Sequence, residues 1–127
     1  MKPETERYLA KARQMLTEAR TTAGVDLADA AGRASYLAAF HAAQALIFER
    51  SGKVSKTHRG VQIQFARLTK DEPSVSPELR EFLPQSYNLK SVADYEVEPD
   101  ASVPLEEAIA AIETAERFVD RIVELVA

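Results

Sequence analysis

The sequence predicts an all-α bundle, and three observations carry that reading. Only four glycines interrupt 127 residues, alanine is abundant and Trp is absent. Such a composition favours helix over sheet, because alanine loses no side-chain entropy in a helix. Apolar residues also recur at spacings of three, four and seven, as in Leu105, Ile109, Ile112, Ala115, Val119, Ile122 and Val126. That is the period of a helix that buries one face. No strand-length segment alternates, and no internal repeat is present. The length suits a single domain over residues 1–127, long enough for one core.

Residues 3–22 read as the first helix. Pro3 suits a first turn, Glu4 and Glu6 oppose the positive helix end, and Tyr8, Ala12, Met15, Leu16 and Ala19 form a stripe. Asp26 is the expected N-cap of a second helix over residues 27–50, stopped by Ser51 and Gly52. That helix is apolar around most of its circumference from Ala34 to Phe48, so it belongs at the centre or at a shared interface. Leu37 is expected on its buried surface. A third helix begins near Ser55 or Thr57 and carries Val61, Ile63, Phe65 and Leu68. Ser76 and Pro77 open a fourth, in which Pro84 predicts a kink or break before residues 85–94, since proline cannot donate to the ladder. An acidic loop over residues 96–103 leads to the last helix, started by Pro104.

Composition narrows the function classes. A net charge of −4 argues against a surface for double-stranded DNA, which needs a basic excess. No run approaches the roughly 20 apolar residues of a membrane span. No apolar segment follows the basic residue near the N-terminus, so no signal peptide is expected. The absence of cysteine rules out a disulfide scaffold and fits a reducing compartment. A cytoplasmic protein is the expectation.

Polar groups then stand where an apolar helix does not need them. Arg33, Tyr36, His41 and Gln44 interrupt the second helix, and a buried polar group left unpaired costs about 1–3 kcal/mol. At about 100° per residue they share one broad face. That face is either an active cleft or a polar seam between helices. Lys56, Thr57, His58 and Arg59 stand at a helix N-terminus, whose free N–H groups favour phosphate. The plainer reading is a solvated cap. Tyr87, Lys90, Asp94 and Tyr95 form a third polar group. The Lys90–Asp94 spacing gives an ion pair of about 0.3–0.5 kcal/mol, or a surface turned toward Arg33, Tyr36 and His41. The two histidines, His41 and His58, share no recurrent ligand spacing, so no metal is expected. Neither a glycine-rich phosphate loop nor a nucleophile-elbow serine is present, and no cofactor is expected.

Taken together, three islands resemble the HEPN superfamily in its small stand-alone prokaryotic branch. They are Arg33, Tyr36, Ala38, Phe40, His41, Ala42 and Ala43; then Lys56, Thr57 and His58; then Tyr87, Lys90, Ala93, Asp94 and Tyr95. The resemblance covers residues 5–125. It implies a four- to five-helix antiparallel up-and-down bundle that dimerises and gathers polar residues of both subunits around one cleft. Many relatives are metal-independent endoribonucleases, often toxins paired with a nucleotidyltransferase antitoxin. In those an Arg stabilises the pentacovalent phosphate, and a His four to six residues later moves protons for 2′-hydroxyl attack.

Here Lys90 stands where the branch commonly carries Arg, and Asp94 and Tyr95 follow in place of His. By the resemblance, His41, Lys90 and Asp94 are the candidate catalytic residues, with His58 second to His41 as the acid–base group. Arg33, Tyr36, Lys56, His58, Arg59, Tyr87 and Tyr95 are the candidate substrate contacts. In some relatives the partner enzyme modifies a tyrosine near this motif, which makes Tyr95 a candidate acceptor. The expected protein is a homodimeric, toxin-like endoribonuclease acting on RNA beside a nucleotidyltransferase antitoxin. The alternatives are an inactive HEPN module that binds nucleotide, RNA or a partner protein, and an interaction domain whose polar stripe orders the dimer.

Overall fold

The computed structural model describes residues 1–127, the side chain of Pro99 excepted. Five α-helices follow one another: α1 Pro3–Gly24, α2 Ala28–Ser51, α3 His58–Thr69, α4 Pro77–Tyr95 and α5 Leu105–Val126. A single 3-10 turn, Pro99–Ala101, precedes α5, and no strand occurs among the described residues. The fold is all-α, as expected.

Helix α2 is the centre and touches the other four helices, α1 most extensively. Its small side chains explain the fit. Ala31, Ala34, Ala38, Ala39, Ala42, Ala43 and Ala45 are all buried, and a methyl group lets a neighbouring backbone come close. Gly32 carries this furthest, since a Cβ there would sit 3.4 Å from the Leu89 Cβ of α4. The bulk comes from Tyr36, Phe40, Leu46 and Ile47 of α2 itself and from its partners: Leu9, Met15 and Leu16 on α1, Phe82, Leu83 and Leu89 on α4, and Ile112, Phe118 and Ile122 on α5.

Several expectations are corrected. Asp26 does not cap α2; Leu27 holds the N-cap position, with no side-chain cap bond. The Val25, Asp26 and Leu27 amides all bond back to the end of α1, so the chain reverses tightly and Asp26 takes a left-handed φ of 63°. Short polar residues tolerate that conformation. Asp29 instead uses its carboxylate to accept from the Val103 amide at 2.7 Å, pinning the loop before α5 against the start of α2.

Pro84 does not break α4, which runs uninterrupted from Pro77 to Tyr95. The missing ladder bond costs about 3 kcal/mol, and burial on both sides of it offsets this: Leu79, Phe82 and Leu83 before, Ser86, Leu89 and Lys90 after. Ile63 and Ile109 are exposed. On α3 the buried pair is Val61 and Phe65, one turn apart, which turns Ile63 outward. On α5 the buried line follows Ala108, Ala111, Ala115 and Phe118, leaving Ile109 beside it. Leu37 is only partly buried. No helix is long and apolar enough to cross a membrane among the described residues.

Two hydroxyls start helices. Thr57 Oγ1 accepts from the Gly60 amide at 2.9 Å, and Ser76 Oγ accepts from the Leu79 amide at 3.2 Å. Ser76→Ala is expected to lower stability by about 1 kcal/mol, read from the urea midpoint, because one first-turn donor loses its partner. An unchanged midpoint would count against the cap.

Candidate functional site

Three helices bring their polar residues to one place: the first half of α2, the first turn of α3 and the last turns of α4. On α4, Tyr87, Lys90 and Asp94 follow at three and four residues and so share a face. Asp94 joins two cations, with Oδ1 2.8 Å from Arg33 Nε and Oδ2 2.8 Å from Lys90 Nζ. Lys90 is buried, only 9% exposed. Its ammonium lies 6.0 Å from the Tyr87 ring centre and 5.2 Å from that of Tyr95.

The electrostatics follow from this geometry. The hydrogen bond to Asp94 raises the Lys90 pKa above its ordinary value against the opposing effect of burial. The same bond, aided by Arg33, holds the Asp94 carboxyl below the usual carboxylate range. Lys90 and Asp94 are therefore charged near neutral pH, and with the Arg33 guanidinium the trio keeps one net positive charge. An incoming anion must compete with Asp94 for both cations.

Beside the trio stands a second pair. Tyr36 Oη lies 2.7 Å from His58 Nδ1. The rings of Tyr36, Phe40, His58 and Tyr87 pack at centroid distances of 4.4–5.9 Å. Tyr36 is fully buried, and burial pushes its phenol up to about 12 despite a downward pull from Gln62. His58 is half-buried. Burial, and then the positive Lys90, lower its pKa below 6.5, so the imidazole is neutral near pH 7. Two arrangements satisfy the short contact. In one, Tyr36 donates and the histidine proton sits on Nε2. In the other, Nδ1–H donates to Tyr36 and Nε2 carries the lone pair a proton acceptor needs.

The structure thus brings Arg33, Tyr36, His58, Tyr87, Lys90, Asp94 and Tyr95 together. Lys56 and Arg59 are exposed at the rim beside His58, and neither makes a side-chain hydrogen bond or ion pair among the described residues. His41, the first choice from sequence, is placed apart. Five residues turn it about 140° around α2 from Tyr36. It sits half-buried beside α1 with Nδ1 2.8 Å from Gln44 Oε1. Its ring packs on Phe40, which also packs on His58, but it makes no bond to the cluster. Gln62 went unnoticed in the sequence. It lies four residues after His58, the helical spacing that would have marked it as a neighbour of the same face.

An open groove of about 660 Å³ adjoins the cluster and shares Arg33 with it; Leu27, Ala28, Ala30, Ala93 and Val103 are among its walls. Around this end, Val25, Leu27, Tyr95 and Val97 are exposed.

The HEPN domain family matches residues 5–126. A UPF0332 protein of Archaeoglobus fulgidus is 30% identical over 118 residues, which cover 93% of this chain and 91% of that protein.

Proposed function

Because the chain belongs to the HEPN domain family, we propose that it acts on RNA at the Arg33–His58–Lys90 cluster as a metal-independent endoribonuclease. The observation that supports this reading is a neutral imidazole, held by Tyr36, beside the two cations Lys90 and Arg33. A phosphodiester displaces Asp94 from one or both cations. His58, with its lone pair on Nε2, takes the proton of the 2′-hydroxyl. The 2′-oxygen forms a bond to phosphorus, and the 5′-oxygen leaves with a proton from water. Lys90 and Arg33 stabilise the extra negative charge on the pentacovalent phosphate. The products are a cyclic 2′,3′-phosphate and a free 5′-hydroxyl. In this reading His58 replaces His41 as the acid–base group.

The reading includes assembly. The exposed Val25, Leu27 and Val97 beside the cluster suit a symmetric homodimer that closes the cleft, and sedimentation at micromolar concentration tests it. A nucleotidyltransferase antitoxin is the proposed partner. Tyr95, 70% exposed, is open to modification by it.

Asp94 favours a second reading, in which the module binds RNA or nucleotide without cutting it. Its carboxylate already occupies both cations, and nothing in the cluster repeats the usual Arg-then-His order. A cleavage assay separates the two. Wild-type protein with EDTA should cut RNA to cyclic phosphate ends, and His58→Ala should lose at least about 10²-fold in rate. The rate should fall as pH drops through the lowered His58 pKa, since protonation removes the accepting lone pair. Saturable RNA binding without products would leave the second reading.

A further inference from the structure

His41 is left unused by the cluster, and its surroundings have the features of a site. It lies in an open groove of about 420 Å³ between α1 and α2, lined by Glu4, Arg7, Tyr8, Lys11, His41 and Gln44. That volume falls within the usual range for small-molecule sites, about 300–1,000 Å³. We propose that this groove is a second ligand site, taking a small aromatic anion that also carries a hydroxyl or N–H donor.

Each part of that ligand has a counterpart. Gln44 Oε1 accepts from His41 Nδ1–H at 2.8 Å, which leaves the lone pair of the neutral ring on Nε2. Burial lowers the pKa of His41 against the opposing effect of the Gln44 bond, and the nearby Lys11 charge adds to the lowering, so the lone pair is available near pH 7. A ligand hydroxyl or N–H is the group that fits this acceptor. The Tyr8 ring is partly buried and steadied against Phe48 at 6.2 Å, offering an aromatic wall.

The charge of the groove selects the third feature. Lys11 is exposed and makes no ion pair or side-chain hydrogen bond among the described residues. Arg7 reaches Glu4 only at 3.9 Å, with its side chain 75% exposed. One net positive charge therefore remains, in a chain that is negative as a whole. A carboxylate or phosphate on the ligand matches it. This site is independent of the RNA reading, because none of its lining residues belongs to the Arg33–Lys90 cluster.

The probe is 4-hydroxybenzoate, titrated into the full chain and followed by amide and histidine-ring NMR. Saturable shifts are expected at Tyr8, Lys11, His41 and Gln44. Benzoate, which lacks the hydroxyl, should bind about tenfold more weakly, and Lys11→Glu should weaken 4-hydroxybenzoate by a similar factor. Lys11 is exposed, so that variant keeps the fold. Absence of saturation at millimolar probe would overturn the proposal, as would affinity indifferent to Lys11→Glu.

Discussion

Phe118→Ala is expected to remove about 3–5 kcal/mol of stability, the range for truncating a buried aromatic ring. Phe118 is 1% exposed. Its ring centre lies 5.1 Å from that of Phe65 on α3 and 6.3 Å from that of Phe82 on α4. One side chain of α5 thus ties two other helices together. Removing it leaves a cavity whose walls belong to three elements, and a close-packed interior refills such a space only in part. A domain of this size has about 5–15 kcal/mol in total, so the variant should unfold at much lower urea by circular dichroism. A loss below about 1 kcal/mol would show that the three helices do not share this core.

The parts of the fold legible in the sequence are those set by local period and by caps. The stripe on α1 and the alanine-rich α2 follow directly from spacing, and Ser76 with Pro77 opens α4 as its chemistry demands. The misreadings share a cause: tertiary packing overrides a local rule. Pro84 is a breaker by its own chemistry, yet burial on both sides keeps α4 whole. Asp26 has the side chain of a cap, but the tight reversal after α1 takes its backbone out of position.

The candidate site divides in the same way. Lys90 and Asp94, four residues apart on one helix, are legible from spacing. The Tyr36–His58 bond joins residues from two helices, and only the crossing of α2 and α3 decides it. His41 and His58 are indistinguishable by residue type. What separates them is which neighbour each face of α2 meets, and a single helix cannot reveal that.

The same trio yields the other large effect. Asp94→Asn is expected to bind single-stranded RNA about tenfold more tightly at low salt, by the proposed reading, because the competing carboxylate is gone. Arg33 and Lys90 would then present two unbalanced charges where they now present one. The log–log salt slope should steepen by about 0.7 for each further phosphate neutralised on a single strand. Stability should move the other way. The Lys90 ammonium keeps the Tyr87 and Tyr95 rings and gains only an amide oxygen, a loss of about 1–3 kcal/mol, held below the cost of a fully buried pair by the solvent around Arg33 and Asp94. The pH dependence checks the assignment. Since the folded Asp94 pKa is depressed, its contribution is fully present above the unfolded value near 3.8 and is lost as pH falls through the lower folded value. The Asn variant should therefore lack that acid limb of the stability curve. Weaker RNA binding in the variant would mean that Asp94 orients the cations toward the phosphate rather than competing with it, and the clamp would have to be read as part of the binding geometry.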